Sequence, residues 1–327
     1  MKESIMKRVV VVTTGGTITM KNGPMVGGAV PSVKGDDFLA LLPRDGINLT
    51  FEEFSNLPSS HFTPTNGLEL AHRIESVLLG PDVDSVVITH GTDTLEETAY
   101  LLDLTLKTHK PVVMTSSMRA ANSPGYDGVS NLAGAIRVAV TPEARELGVL
   151  LVFGDEIFAA GEVQKVHSQS TSAFQAPGTG PLGRIEPERI RLNHRTAQHP
   201  HIPCSRLEEM VDLIRITQGA DDRLLRHSIE DGVAGIVIEA FGSGRVPPWW
   251  LPAINEAISR RTVVAITTRC AAGSLGDTHG YVGAFHDLQR LGVLLVNNLN
   301  GLKARIKLMV ALGAARNQGE LRKWFQE

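Results

Sequence analysis

The sequence predicts an α/β fold in two domains: an N-terminal parallel sheet with helices on both faces, then a smaller C-terminal α/β domain. Three observations carry this. Short branched runs such as Val9-Val10-Val11-Val12 and Val86-Val87-Ile88 fit buried parallel strands. Amphipathic stretches at helical spacing separate those runs, which is the order of βα units. A polar, proline-bearing stretch then interrupts the alternation, and a second βα series follows it.

In the first domain, 1–192, strands are expected at 8–13, 49–54, 85–89, 111–114 and 148–153. A helix over 66–79 follows Thr65, a suitable N-cap, and spaces Leu68, Ala71, Ile74 and Leu78 along one face. A helix over 94–106 opens with Glu96 and Glu97, which suit the positive end of a helix dipole. A third helix, 129–140, follows Asp127-Gly128. Residues 155–191 mix Gly, Ser, Thr and Gln in short alternating pieces and fit a hairpin. Residues 193–209 have no apolar period and read as a linker. In the second domain, 210–327, strands are expected at 210–216, 235–239, 263–267 and 293–296, with helices at 252–259, 302–312 and 320–325.

With 327 residues the chain can bury a large core. Apolar residues make up 42% and charged residues 20%, as in ordinary globular proteins. Thirty-two basic residues against thirty-five acidic ones leave a formal charge of -3, which recommends neither nucleic acid nor an anionic membrane as a partner. Two cysteines, Cys204 and Cys270, are too few for a disulfide framework. The N-terminus enters the first strand without an apolar signal region, and no stretch approaches the roughly 20 apolar residues that span a bilayer. A cytoplasmic location is the expectation.

Two threonine clusters sit just after strands: Thr14-Gly15-Gly16-Thr17 and His90-Gly91-Thr92-Asp93-Thr94. In open parallel sheets, ligands bind beyond the carboxyl ends of strands. Each cluster alone has a plainer reading, a tight turn for the first and a helix cap for the second. The first lacks the third glycine of a dinucleotide fingerprint, and no Gly-Lys-Ser/Thr pattern marks a P-loop. The stretch 22–35, with four glycines and two prolines, reads as a lid or as a mere connection. A threonine hydroxyl becomes a good nucleophile only when a base takes its proton, and Lys165 is a candidate base. His194, His199, His201 and Cys204 are metal-ligand types in one span, but they lack the sharp spacing of a zinc site. Trp249-Trp250 follows two prolines and reads as packing at a helix start.

Over nearly its whole length the chain resembles the bacterial-type L-asparaginase/glutaminase family. The resemblance is strongest at Thr14-Gly15-Gly16-Thr17-Ile18 and from Ile88 through Thr89-His90-Gly91-Thr92-Asp93-Thr94-Leu95-Glu96-Glu97-Thr98 to Ala99. Lys110-Pro111-Val112-Val113, Ser117-Met118-Arg119, Asp127-Gly128 with Asn131, Gly180-Pro181-Leu182-Gly183 and Lys303-Ala304-Arg305 match as well. The resemblance implies a flavodoxin-like N-terminal sheet and hydrolysis of L-asparagine, in some members also of L-glutamine, with no metal and no cofactor. It implies Thr17 as the nucleophile of an acyl-enzyme route, and Thr92, Asp93 and Lys165 as a relay. Ser59 and Ser60 match the loop that binds the substrate carboxylate, and Ser117 stands near the substrate. Assembly as a homodimer or homotetramer is implied too.

The chain departs from the family pattern in several places. No tyrosine precedes Tyr100, so the segment 21–35 lacks the lid tyrosine many members carry, and any ordering of Thr17 must come from elsewhere. Ser60 stands where glutamine is common. Arg245 replaces a commonly neutral side chain, either as an interface charge or as a partner for a carboxylate. The acidic residue that some members contribute from the next subunit has no matching counterpart near Asp277-Thr278-His279-Gly280-Tyr281. Two rival readings share the fold: a subunit supplying ammonia to a tRNA amidotransferase, whose relatives carry an added N-terminal domain, and a non-catalytic amino-acid sensor.

Overall fold

The computed structural model describes residues 6–22, 29–31, 42, 45–195, 201–276 and 279–326. The chain forms two compact units, Met1–His201 and Ile202–Glu327. The first holds strands β1 (Lys7–Gly15), β2 (Met20–Asn22), β3 (Ala29–Pro31), β4 (Ile47–Leu57), β5 (Ser85–Thr89), β6 (Val112–Thr115) and β7 (Val149–Phe153). Five short strands follow: β8 (Glu156–Ala159), β9 (Gln164–Lys165), β10 (Phe174–Gln175), β11 (Gly183–Ile185) and β12 (Ile190–Leu192). Its described helices are α1 (Pro64–Leu78), α2 (Leu95–Thr105) and α3 (Gly128–Ala139).

The main sheet has eight strands in the order β12-β11-β8-β7-β6-β5-β1-β4. From β4 to β7 every pairing is parallel. Those five strands run in the flavodoxin-like order, with β1 between β4 and β5. The expected parallel sheet is therefore present, extended at one edge by β8, β11 and β12, which pair antiparallel. The chain turns back after Gly154, whose φ of 60 suits a tight reversal, so no helical crossover follows β7.

Alternation along the strands explains both faces. Val10, Val12, Val86, Ile88 and Met114 pack with Leu70 and Ile74 of α1 and Leu102 of α2. Val9, Val11, Val87, Val113 and Leu150 point the other way, toward Leu132 and Ile136 of α3. Central strands covered on both faces need continuous apolar runs, which is why β5 is buried at every residue.

The second unit is a four-stranded parallel sheet, β13 (Val211–Arg215), β14 (Gly235–Ala240), β15 (Val263–Thr268) and β16 (Leu294–Leu295), in chain order. Its helices are α4 (Arg223–Glu230), α5 (Leu251–Ser259), α6 (Phe285–Leu291), α7 (Gly301–Ala314) and α8 (Gln318–Lys323). Trp250 is 1% exposed in this core, and both Trp249 and Trp250 donate to the Ala220 carbonyl. Helices α4 and α6 are absent from the sequence expectation. Each is short, although α4 buries Leu225, Ser228 and Ile229 at helical spacing. In the segment expected as a linker, His201 meets the Thr105 carbonyl, Ile202 is buried and the Glu208 N–H donates to the Met309 carbonyl; 196–200 lie outside the described residues.

The N-cap of α1 is Thr63 rather than Thr65. Its hydroxyl accepts the Asn66 N–H at 3.2 Å, and the Asn66 side chain accepts the Thr63 N–H at 3.0 Å. Pro64 fits the first helical position, where its missing N–H costs nothing. Thr63→Ala is expected to cost about 1 kcal/mol, and Thr65→Ala much less. Urea midpoints of the two variants check this; equal shifts would return the cap to Thr65.

Candidate active site

The two glycine-threonine loops meet beyond the carboxyl ends of adjacent strands β1 and β5. Gly15 and Gly16 have φ of 102 and 83, and Gly16 takes ψ of 177, a conformation nearly restricted to glycine. A Cβ on Gly16 would lie 2.4 Å from the Gly91 Cα. A Cβ on Gly91 would lie 2.5 Å from Ser59 Oγ. Three backbone segments therefore approach one another more closely than side chains permit. Thr14 Oγ1 donates to the Thr89 carbonyl at 3.0 Å, Ser55 Oγ to the Thr14 carbonyl at 2.9 Å, and the Gly16 N–H to the Leu57 carbonyl at 3.2 Å.

Thr17 opens a single 3-10 turn, Thr17–Thr19, and is half-buried. Its hydroxyl has no hydrogen-bond partner among the described residues. Thr92 is 7% exposed, and its Oγ1 accepts from Lys165 Nζ at 2.9 Å. The same Nζ lies 2.7 Å from Asp93 Oδ1. The Lys165 side chain is mostly enclosed, at 15% exposure, whereas that of Asp93 is 64% exposed and leaves its carboxylate open to solvent. Lys165, more than seventy residues from the adjacent Thr92 and Asp93, forms one contact group with them.

Ser59 is buried; its Oγ accepts the Asp93 N–H at 3.1 Å and its carbonyl accepts the Thr94 hydroxyl at 2.8 Å. Ser60 is exposed, with no hydrogen-bond partner among the described residues. Ser117 is fully buried, and its hydroxyl donates to the Arg119 carbonyl within its own loop. That loop is held by the Asp127 carboxylate, which accepts the Met118 and Arg119 N–H groups at 3.0 Å. Of the segment 21–35, β2 and β3 pair antiparallel, and 23–28 and 32–35 lie outside the described residues. In the other unit, Arg245 donates to His279 Nδ1 at 3.0 Å. The proposed acidic gap near 277–281 falls partly on 277–278, outside the described residues. Cys204 engages the Arg206 carbonyl, and His199 lies outside the described residues.

Two further residues, Glu96 and His90, support the site through contacts that their motifs do not reveal. Glu96 is 4% exposed on the first turn of α2, and its carboxylate accepts the Lys165 N–H at 3.0 Å. Its position suggested only a favourable dipole; burial and the β9 partner have no signal in sequence. His90 is fully buried against Phe62, with ring centroids 4.7 Å apart. Its Nδ1 lies 2.8 Å from the Gly91 carbonyl, an acceptor only, so Nδ1 carries the proton and Nε2 accepts from the Thr98 hydroxyl at 3.2 Å.

Burial pushes the His90 pKa down to about 4, against a smaller upward pull from the Gly91 carbonyl. The unfolded chain, with an ordinary histidine, binds the proton more readily. The stabilisation from a neutral His90 is then full above about pH 6.5 and is lost as pH falls toward 4. In His90→Asn the loss of stability over that window should shrink by about 3 kcal/mol. Denaturant unfolding at a series of pH values measures it, and an unchanged slope would mean that the ring protonates freely in the folded protein.

Residues 8–198 match the family model for the asparaginase N-terminal domain, and 210–325 match that for the glutaminase/asparaginase C-terminal domain. An L-asparaginase of Bacillus licheniformis is 35% identical over 94% of this chain and 96% of its own length. A glutaminase-asparaginase of Pseudomonas aeruginosa is 31% identical over 98% of this chain and 91% of its own length. Among solved structures, a probable cytoplasmic L-asparaginase from Campylobacter jejuni superposes with a TM-score of 0.87 at 29% identity, covering 98% of this chain and 99% of that one.

Proposed function

The chain belongs to the asparaginase family, and on that premise we propose that it is an L-asparaginase, hydrolysing L-asparagine to L-aspartate and ammonia. The observation that carries the reading is the Lys165 ammonium group within 3 Å of both Thr92 Oγ1 and Asp93 Oδ1, at the mouth of the switch point between β1 and β5.

In this reading Thr17 Oγ attacks the side-chain amide carbon and forms an ester. The amide nitrogen takes a proton and leaves as ammonia. Water then adds to the ester carbon, Thr17 regains its proton, and aspartate departs. Thr92, Lys165 and Asp93 form the relay that moves protons for these steps. Asp93, open to solvent on one side, also pairs with the substrate ammonium, as Ser59 and Ser60 receive its carboxylate. Backbone N–H groups of Thr17 and Thr92 have no hydrogen-bond acceptor among the described residues, which supports their use as donors to the oxyanion, beside Ser117. Every step uses protein side chains, backbone and water, with no metal or cofactor invoked.

A broader glutaminase-asparaginase activity is the second reading, supported by the relative of that kind. We further propose a cytoplasmic enzyme working as a homodimer or homotetramer. Among the described residues no helix is long and apolar enough to cross a membrane. Light scattering coupled to gel filtration tests the assembly; a monomer at working concentration would refute it.

Purified protein should release ammonia from asparagine, and a parallel assay with glutamine ranks the two substrates. Thr17→Ala should lower kcat by roughly 10³-fold or more with the fold intact. Thr92→Val, Asp93→Ala and Lys165→Met should each lose on the order of 10²–10⁴-fold, and combining them should add little, because a relay fails as a unit. Full activity in Thr17→Ala would remove it as the nucleophile, and absence of ammonia release from the native protein would favour a sensor.

A further inference from the structure

We propose that Tyr126 is a positioning residue that holds the Thr17 turn in place from outside; the proposal deepens the reading of Thr17 as nucleophile. Strand β1 ends at Gly15, so no sheet ladder holds Thr17. It follows two glycines at positive φ, which offer no side chains to brace the turn. Inside the turn, the Thr19 N–H and hydroxyl donate to the Gly16 carbonyl, and the Met20 N–H donates to the Thr17 carbonyl. These bonds shape the turn, and the Gly16 contacts with Leu57 and Gly91 fix its N-terminal side, which leaves the Ile18 side to be held from elsewhere.

The loop before α3 supplies that restraint. Tyr126 Oη donates to the Ile18 carbonyl at 2.7 Å, one residue beyond Thr17. A second link runs from the Ala121 N–H to the Met20 carbonyl at 2.8 Å. The loop is itself rigidly held, because the neighbouring Asp127 carboxylate takes two of its N–H groups and an Asn131 side-chain N–H. The phenol lies in space that a side chain at residue 128 would fill: a Cβ on Gly128 would stand 2.1 Å from Tyr126 Oη. Ile18 is completely buried, so its carbonyl depends on protein donors rather than water. Burial, aided by the Asp127 charge, pushes the phenol pKa up, so the hydroxyl keeps its proton and stays a donor.

The Ile18 carbonyl lies in the peptide unit next to the one that leaves Thr17, and the short 3-10 turn couples the two planes, so a shift of the first is passed to the second. Misplacement of a nucleophile by a fraction of an ångström lowers the rate of attack far more than it weakens substrate binding.

Tyr126→Phe deletes the hydroxyl alone, and two readouts on the whole protein decide the matter. The kcat for asparagine should fall by about tenfold or more while KM stays within about twofold. Deuterium exchange at residues 16–20 should quicken, while the melting temperature falls by less than about 4 °C. A kcat within about twofold of native overturns the proposal. So does a fall in kcat without faster exchange at the turn, since the effect would then not pass through it. A large drop in melting temperature with KM and kcat moving together would assign Tyr126 a purely structural role and likewise overturn it. Were the native protein to release no ammonia, the amidase reading would fail separately, and unchanged exchange in Tyr126→Phe would still refute the restraint.

Discussion

The close approach of Gly16 to Gly91 is the contact on which the rest of the site depends. It brings two backbones nearer than any side chain allows, and the chain makes this possible with glycines on both sides. Through it the loop after β1 and the loop after β5 become a single surface, with Ser59 wedged against Gly91. The sheet topology sets up the meeting. Strand β1 lies between β4 and β5 in the sheet, so the loops after β1 and β5 leave neighbouring strand ends at the point where the strand order reverses.

Within that frame, precision comes from parts outside the main sheet. Lys165 sits on β9, a two-residue strand paired only to β10. The neighbouring Val163, Ala173 and Phe174 anchor it in the core between sheet and helices. Glu96 then fixes the Lys165 backbone to the first turn of α2, just after the loop that carries Thr92 and Asp93. A helix start is a favourable place for a buried carboxylate, because the unpaired N–H groups there carry partial positive charge. The lysine is thus held at both ends by the same segment, at its backbone by Glu96 and at its ammonium by Thr92 and Asp93. His90 plays a comparable part beneath the loop, as a neutral ring whose one N–H is committed to the Gly91 carbonyl.

Much of this was legible in the residues. Buried strands and amphipathic helices write themselves as periods, so β5 and the parallel core of the sheet could be read directly. Each threonine loop alone also fits a turn or a cap; the pair is legible through its long match to the family motifs. Thr63 and Thr65 both precede the apolar period; Pro64, suited to the first helical position, is the local signal that favours Thr63. The antiparallel edge of β8, β11 and β12 was read no further than a hairpin, because strands of three or four residues leave no periodic signal. Helices α4 and α6 are short, and although α4 has Leu225, Ser228 and Ile229 at helical spacing, that is little more than one turn.

By itself the sequence determined the architecture of a two-part α/β chain, the two glycine-threonine loops, and Lys165 as a base worth considering. These depend on local pattern and on motifs whose parts lie close together along the chain. The tertiary structure decided which groups touch. Lys165 is more than seventy residues from Thr92, yet its ammonium lies 2.9 Å from that hydroxyl. Glu96 and Tyr126 gained their roles only when folding brought them to the backbones of Lys165 and Ile18. Contacts of this kind follow from packing among distant segments, and no spacing along the chain records them.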